Sequence, residues 1–411
     1  MPARKAISVG LDIGSSKVAV CVVSQNADAV DILAVGRAKT TGVRKGVIVD
    51  VEETVSSITA ALDEACKLSD FEIGSAVVGI GGSHLTSETS RGVIAVSKVD
   101  GEITEADVSK VIEAAKAVPN QPNREVLHVI PKTFIVDGQE GIINPVGMSG
   151  IRLEVDTNII SGSLSAIKNL ARATDQVGLA ISEMVFSPLA TAKVILSKQQ
   201  QEIGVILIDI GAGTTSYAVF EEGDLLHSGV LPIGSDHITN DIAIGLRTNI
   251  NLAEIIKIKY GYATPEKINE KEEIDLAKLD KTEEGTTNVK YVAEIIEARL
   301  NEIFMLIRDD LRAINRDGML PAGVVLTGGG AKLEGIQDLV KDILRLPSQI
   351  GKPQISLSGL VDNVADPVYA TSCGLAIWGL VSGGQTVRRT PGTEIGGIVD
   401  KLKNTFKHFL P

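Results

Sequence analysis

The sequence predicts an α/β protein whose two lobes are built on duplicated cores. A short pattern centred on Asp-Ile-Gly occurs twice, at residues 9–18 and 207–216. A third apolar run, 324–327, leads into a glycine triplet at 328–330. Because duplicated halves are a property of the whole fold, we expect each half to contain the same core, and we expect the two turns to face each other.

Both copies of the pattern predict a β-hairpin with a tight turn. Each has an apolar run, Asp-Ile-Gly, small residues that include hydroxyls, and a second apolar run. The runs at 6–11, 18–23, 204–208 and 217–220 predict buried strands. Glycine permits the turn. The backbone N–H groups of the turn and the hydroxyl groups of its serine and threonine residues can donate hydrogen bonds to phosphate oxygens. Asp12 and Asp209 would repel phosphate, but each can hold a hydrated Mg²⁺ that bridges to it. The pair of hairpins indicates a clamp on a nucleoside triphosphate.

The glycine triplet predicts a third wall of the same site. It follows strand 324–327 and precedes a predicted helix at 336–344. A glycine turn at a helix N-terminus suits a phosphate or a nucleoside, because free N–H groups and the helix dipole point at the ligand. We therefore expect the adenosine part of the nucleotide at this turn.

Composition limits the classes of protein that the chain can represent. Its 411 residues predict two lobes or more, and the net charge of −12 argues against broad nucleic-acid binding. Cys21, Cys66 and Cys373 show no paired spacing, which predicts reduced thiols in a cytosolic protein rather than a metal site. We expect no signal peptide. We also expect no membrane span, because no apolar run reaches ~18 residues.

Periodicity and turn signals divide the chain into several parts. Helical periodicity predicts helices at 51–67, 104–117, 251–260 and 289–312, and short apolar runs predict strands at 75–80 and 92–96. We assign the first-lobe core to 1–83 and 163–202, with an inserted subdomain at 84–162. We assign the second-lobe core to 203–240 and 320–383, with a second insertion at 241–319, a linker at 384–393 and a terminal helix at 394–411.

The terminal segment predicts an amphipathic helix that binds a membrane surface. Five basic and two acidic residues between 388 and 411 give it a local charge of +3. Such a helix on a flexible linker suits the interface of an anionic membrane, and the alternative is a helix docked on its own domain or on a partner. The stripe expected to enter the membrane, and the lysines beside it, are Ile395, Ile398, Val399, Leu402, Phe406, Phe409 and Leu410, with Lys401, Lys403 and Lys407.

The three glycine-rich turns together resemble those of the actin/Hsp70/hexokinase superfamily. Residues 127–163 (LHVIPKTFIVDGQEGIINPVGMSGIRLEVDTNIISGS) resemble the FtsA family of bacterial cell-division proteins, as do RGVIAV at 91–96 and KIKYG at 257–261. The tail resembles the membrane-targeting helix of that family, and the resemblance covers essentially the whole chain. It implies an actin-like fold with ribonuclease-H-like cores, in which 84–162 is subdomain 1C and 241–319 is subdomain 2B.

The resemblance also implies a site for ATP and Mg²⁺, with Asp12 and Asp209 holding the metal through water. For Glu254 and Lys257, implied at ribose and adenine, the alternative is a surface ion pair worth a few tenths of a kcal/mol. The residues implied are Asp12, Gly14, Ser15, Ser16 and Lys17 in the first phosphate motif; Asp209, Gly211, Gly213, Thr214 and Thr215 in the second; Gly328, Gly329, Gly330 and Lys332 in the adenosine motif; and Glu254, Lys257 and Gly234 beside them.

The implied function is that of a membrane-bound scaffold for cell division. The protein would polymerise on the cytoplasmic face of the membrane at the division site, tether the tubulin-like FtsZ through its C-terminal peptide, and recruit later divisome proteins. Helix 289–312 would receive the peptide, with Arg299 at a basic position; the alternative is a plain solvated arginine. Two other functions stay open: a pilus-assembly actin homologue similar to PilM, and a superfamily sugar kinase with Asp209 as its base.

One position departs from the pattern of hydrolysing relatives. They place Glu or Gln near a helix start in the first connecting segment, where it positions the attacking water. In the segment 186–192 that place is taken by Ser187. Serine is a poor general base without a partner, so we expect nucleotide binding with slow or undetectable hydrolysis.

Overall fold

The computed structural model describes residues 6–26, 29–69, 72–96, 101–117, 122–353 and 357–382. The predicted linker at 384–393 and the predicted terminal helix at 394–411 lie outside these ranges. None of the helices within the described ranges is both long and apolar enough to cross a bilayer.

The first lobe is built on a sheet whose first three strands form an antiparallel meander and whose later strands are added in parallel. The strands are β1 Ile7–Ile13, β2 Lys17–Asn26, β3 Ala29–Lys39, β6 Ser75–Ile80, β11 Ala180–Phe186 and β19 Leu357–Gly359, in the order β11-β6-β1-β2-β3-β19, with a separate hairpin of β4 Val43–Arg44 and β5 Val47–Ile48. The helices of this lobe are α1 Val51–Ser69, α3 Leu164–Gln176, α4 Ser187–Ile195, α5 Lys198–Ile203, α10 Val361–Val364 and α11 Ala370–Val381.

The second lobe repeats this topology. Its strands are β12 Val205–Ile210, β13 Thr215–Glu221, β14 Asp224–Leu231, β17 Gly323–Thr327 and β18 Ser348–Ile350, in the order β14-β13-β12-β17-β18. This order and its strand directions match β3-β2-β1-β6-β11, so the predicted duplication is confirmed. The other elements of the lobe are α6 Ser235–Leu246, α7 Ile250–Tyr260, β15 Glu273–Asp275, β16 Thr286–Asn288, α8 Val289–Ala313 and α9 Ile336–Leu344.

The segment between β6 and α3 forms a sheet of its own with one helix packed on it. Its elements are β7 Thr86–Ala95, α2 Glu105–Ala117, β8 Arg124–Val136, β9 Gln139–Ile142 and β10 Arg152–Ser163, in the order β7-β10-β8-β9. Buried side chains of this sheet and of α2, among them Phe134 and Ile112, form a small separate core. The proposed boundary at 162/163 falls within β10, and the one at 240/241 falls within α6.

Helices α4 and α11 lie between the two lobes and pack directly on each other. A Cβ atom at Gly374 would lie 2.2 Å from the carbonyl oxygen of Ala190, so the two backbones touch at that point. The buried core around these helices includes residues of both lobes, such as Val205 and Phe220 from the second sheet. Helices α4 and α11 therefore form the junction between the two sheets that contain β1 and β12, the strands that lead into the predicted phosphate turns.

Candidate nucleotide-binding site

The two predicted phosphate hairpins have the same geometry. The Gly14 N–H donates to the Lys17 carbonyl at 2.8 Å, and the Gly211 N–H donates to the Thr214 carbonyl at 2.9 Å. The register is also shared, because each hairpin pairs its aspartate with the residue seven positions later. Both turns contain only small residues, which leaves their outer N–H groups accessible to a ligand.

The tips of the hairpins face each other across the junction of the lobes. A Cβ atom at Gly213 would lie 2.7 Å from the Ser15 hydroxyl and 2.9 Å from the Lys45 backbone nitrogen, so only glycine allows this approach. The Ser15 hydroxyl in turn accepts a hydrogen bond from the Gly46 N–H at 3.0 Å. Ser16 is exposed at the same turn. The structure thus brings the two motifs together, although nearly two hundred residues separate them in the chain.

The two aspartates lie close enough for their charges to interact. Burial, and then the charge of Asp12, raise the pKa of Asp209 to about 6, while Lys17 and a hydrogen bond from Thr371 act in the opposite direction. The Lys17 ammonium lies 3.3 Å from the Asp12 carboxylate. The Thr215 hydroxyl is buried and has no hydrogen-bond partner among the described residues. Two neighbouring carboxylates beside donor-rich turns suit a hydrated divalent cation bridging to phosphates.

Helix α6 orients the second hairpin from behind. The N–H groups of Ser235 and Asp236, in the first turn of α6, donate to the carbonyls of Gly211 and Ala212, both at 2.9 Å. A Cβ atom at Gly234 would lie 2.5 Å from the Ala212 carbonyl oxygen, which explains the glycine at that position. The first N–H groups of α6 are therefore engaged by the hairpin itself, and Gly234 supports the turn from behind.

The glycine triplet packs directly on the second hairpin. Gly328 has a φ of 83°, and a Cβ atom there would lie 2.2 Å from an Asp209 carboxylate oxygen. A Cβ atom at Gly330 would lie 2.4 Å from the Ile210 side chain. A Cβ atom at Gly329 would meet no atom of the described residues closer than 4.0 Å. The helix that follows the triplet, α9, has the predicted bounds. A 3₁₀ turn at Gly329–Lys332, which begins within the triplet, precedes it.

The other residues implied at the nucleoside are held by internal contacts. Lys332 donates to the Asp366 carboxylate at 2.6 Å. Lys257 lies 2.7 Å from the Glu254 carboxylate and also donates to the Thr239 hydroxyl at 2.7 Å. Because Lys257 is only 8% exposed and bonds to α6, the Glu254–Lys257 pair is more than an exposed pair on one helix. It fixes α7 against the helix that supports the second hairpin.

Two positions from the resemblance have surroundings that the sequence did not indicate. Ser187 begins α4 and is buried, and a Cβ atom at Gly79 would lie 3.1 Å from its hydroxyl. Arg299, on α8, makes two hydrogen bonds to Asp241 of α6, at 2.6 and 2.9 Å, and a further one to Glu302. Arg299 is thus a paired residue between two helices and not a plain solvated arginine. The predicted membrane-binding residues lie outside the described ranges.

Sequence reasoning missed several polar residues around the site. Thr371 on α11 donates to the Asp209 carboxylate at 3.2 Å and lies 3.0 Å from the Thr191 hydroxyl on α4. His128 on β8 accepts a hydrogen bond from the Phe186 N–H at 2.9 Å. No motif marks these residues, since their partners are 58 to 180 positions away. Only the burial of hydroxyl groups in an otherwise apolar α11 could have drawn attention to Thr371.

The duplicated sheets, the facing hairpins and the two helices between the lobes define the actin-like class of protein. Among solved structures, the chain is similar to PilM in the PilM-PilN type IV pilus biogenesis complex, with a TM-score of 0.68 and 18% identity over 91% of this chain and 98% of that one. It is also similar to MreB5 of Spiroplasma citri bound to ADP, with a TM-score of 0.55 and 14% identity over 92% and 97%. At these identities the likeness concerns the fold alone.

Sequence comparisons identify the particular family. The family model described as "Cell division protein FtsA" matches residues 206–374, and "SHS2 domain inserted in FTSA" matches residues 82–161. FtsA of Pseudomonas aeruginosa is 39% identical over 90% of this chain and 89% of its own length. FtsA of Escherichia coli K12 is 32% identical over 98% and 97%. The chain belongs to the FtsA family of actin-like cell-division proteins.

Proposed function

We propose that this protein binds ATP with Mg²⁺ between its two lobes and uses the bound nucleotide to set its shape for assembly. The hairpin N–H and hydroxyl groups would hold the phosphates, Asp12 and Asp209 would hold the metal through water, and Gly328–Gly330 would form the wall beside the nucleoside. The metal would neutralise phosphate charge, which the aspartates alone cannot do. The observation that supports this most is the meeting of two hairpins with identical hydrogen bonds and register.

Slow turnover is part of the proposal. The hydroxyl of Ser187 is buried against the glycines at the end of β6, where it has the wrong chemistry and surroundings for a general base. Nucleotide binding would therefore act through conformation, and rapid Mg²⁺-dependent phosphate release by the purified protein would contradict this part of the proposal.

Membership of a cell-division family supports a role as the membrane scaffold of the division ring. The protein would polymerise on the cytoplasmic face of the membrane, with residues 394–411 bound to anionic lipids and the α6–α8 surface receiving the C-terminal peptide of FtsZ. At this surface Arg299 would have to exchange Asp241 or Glu302 for an acidic group of the peptide, or act next to them. Later divisome proteins would then bind the assembled scaffold.

Vesicle flotation with purified FtsZ tests the scaffold role. We expect the full chain with Mg-ATP to float with vesicles that contain anionic lipids and to bring FtsZ with it. A variant that lacks 394–411 should bind nucleotide normally but leave both proteins at the bottom of the gradient. Arg299→Glu should float alone, without FtsZ. Flotation of the shortened chain, or of FtsZ with Arg299→Glu, would overturn the corresponding assignment.

A further inference from the structure

A chain of buried hydroxyl groups links the second phosphate hairpin to the first turn of α4. Thr371 donates to the Asp209 carboxylate at 3.2 Å, and its oxygen lies 3.0 Å from the Thr191 hydroxyl. Thr191 donates to the Ser187 carbonyl at 2.9 Å. Both threonines are at least nine-tenths buried. We call these contacts the hydroxyl chain; it runs from the second lobe, through α11, to the start of a first-lobe helix.

The hydroxyl chain has fewer protons than contacts. Each threonine hydroxyl has one proton, so two protons serve three oxygen–oxygen contacts. When Thr371 donates to Asp209, it can accept from Thr191, and the Ser187 carbonyl then loses its side-chain donor. When Thr371 donates to Thr191, Thr191 can donate to Ser187, and Asp209 then loses a donor. Donation by both threonines outward, to Asp209 and to Ser187, leaves the contact between their hydroxyls without a proton. Two arrangements give that contact a hydrogen bond, and the engagement of Asp209 decides between them.

The start of α4 is also anchored to the inserted subdomain. Phe186, directly before the first residue of α4, donates its N–H to His128 Nε2 at 2.9 Å, and His128 is 1% exposed on β8. Because Nε2 accepts, the ring proton of the neutral histidine is on Nδ1. Burial lowers the pKa of His128 to about 4, so the neutral ring persists at physiological pH. The start of α4 is thus held from one side by the hydroxyl chain and from the other by β8.

Helices α4 and α11 are packed directly against each other. The backbones touch where Gly374 meets Ala190, with no side chain between them to absorb a shift. Buried interiors of this kind transmit small displacements instead of damping them. A change at Thr371 therefore reaches the first turn of α4, and through Phe186 it reaches β8.

We propose that Thr371 and Thr191 are positioning residues that report the occupancy of the nucleotide site to the inserted subdomain, through the start of α4 and His128. The inference rests on the proposed function, because it takes Asp209 as the carboxylate that faces the metal and phosphates. Engagement of Asp209 there favours the arrangement in which Thr371 donates to Thr191 and Thr191 donates to Ser187. The first turn of α4 is then better hydrogen-bonded, and β8 exchanges its amide protons more slowly.

Amide hydrogen exchange on the full chain, with and without Mg-ATP, tests this inference. In the wild type we expect nucleotide to slow exchange at both hairpins, at 186–192 and at 124–136. Thr371→Val keeps the shape and removes the hydroxyl, so the hairpins should still respond while the response at 186–192 and 124–136 is lost. The matched control Thr371→Ser keeps the hydroxyl and should behave as the wild type. Thr191→Val removes the next hydroxyl and serves if Thr371→Val does not fold.

The outcomes separate this inference from the proposed function. No response at the hairpins of the wild type would overturn nucleotide binding, and the inference with it. A response at the hairpins with none at 124–136 would overturn the inference alone. So would an unchanged response at 124–136 in Thr371→Val or Thr191→Val. His128→Leu should lose the response at 124–136 but keep it at 186–192, whereas His128→Gln, which retains an acceptor, should keep both.

Discussion

At the scale of single residues, Gly328 is where the adenosine motif and the second phosphate motif touch. Its φ of 83° is unfavourable for other residues, and a Cβ atom would lie 2.2 Å from the Asp209 carboxylate. We expect Gly328→Ala to destabilise the fold by about 1–3 kcal/mol and to weaken ATP binding strongly, because Asp209 must move. Gly329→Ala is the matched control for stability, since a Cβ atom there would meet no protein atom closer than 4.0 Å among the described residues. Thermal unfolding measures the stability of both variants, and titration with a fluorescent ATP analogue measures binding by Gly328→Ala. An equal loss of stability in the two variants would contradict this account.

The raised pKa of Asp209 leads to a second prediction, which concerns the pH dependence of the free energy of unfolding. Its pKa in the folded state is raised to about 6 by burial and by Asp12, so between about pH 4 and 6 the folded state holds the proton more strongly than the unfolded chain. The contribution of Asp209 to the free energy of unfolding therefore falls as pH rises through this window, by roughly 3 kcal/mol. In protein free of nucleotide and Mg²⁺, Asp209→Asn should be more stable than the wild type above pH 6, and the difference should vanish near pH 4.

The contribution of His128 to the free energy of unfolding changes with pH in the opposite direction. The pH dependence of the wild type alone therefore cannot test the prediction for Asp209. The pKa of His128 is lowered to about 4, and its contribution to stability is lost as pH falls from about 6.5 towards 4. Both Asp209→Asn and the wild type contain His128, so its contribution cancels in the difference between their free energies of unfolding, measured with urea at each pH. A difference that is independent of pH would show that Asp209 is ionised normally. Added Mg-ATP should stabilise the wild type and leave Asp209→Asn nearly unchanged.

At the scale of elements, the contact between α4 and α11 makes the clearest prediction. Alanine at Gly374 would place its Cβ 2.2 Å from a backbone oxygen of α4, which cannot rotate away. We expect Gly374→Ala to lower the free energy of unfolding by about 1–3 kcal/mol despite the better helix propensity of alanine. Gly245→Ala in α6 is the control, because its Cβ would lie 2.6 Å from the end of the Ile295 side chain, which can shift, and 3.6 Å from the Tyr291 hydroxyl, which is an ordinary contact. Urea midpoints should fall in the first variant only; a similar fall in both would point to a general cost of alanine.

The elements themselves were largely predictable, because their information is local. Helix α9 has the predicted bounds, and α1, α7 and α8 begin or end within two residues of them. Strand β7 begins before the predicted 92–96. Its first part, residues 86–91, consists only of polar residues, so no apolar run indicates a strand there. The hairpin turns could also be predicted, because their residues are adjacent in the sequence. Thr371, His128 and the Arg299–Asp241 pair were not, because each contact depends on how distant elements pack.

At the scale of the whole molecule, the inserted subdomain joins the two lobes in different ways. The chain connects it to the first lobe at both of its ends, next to β6 and α3. To the second lobe it is held by Asn158 on β10, whose buried amide donates to the carbonyls of Leu225 and, at 3.2 Å, Leu226 of β14. A rotation of one lobe against the other must therefore either break this contact or move the subdomain. The subdomain is thus in a position to respond to a rotation of one lobe against the other.

Asn158 provides the last prediction, since one amide supplies both hydrogen bonds. Asn158→Leu leaves two buried carbonyls without this donor, which should cost about 1–3 kcal/mol. Asn158→Asp places a carboxylate next to the same carbonyls, so at neutral pH it should lower the free energy of unfolding more than Asn158→Leu does. Asn144→Ala, an exposed change in the same subdomain, should stay within about 0.5 kcal/mol of the wild type. Urea unfolding followed by the fluorescence of the single tryptophan, Trp378 on α11, ranks the four proteins. If Asn158→Asp unfolds at the wild-type midpoint, the amide contact does not hold the subdomain to the second lobe, and the subdomain is free to keep its place while the lobes move.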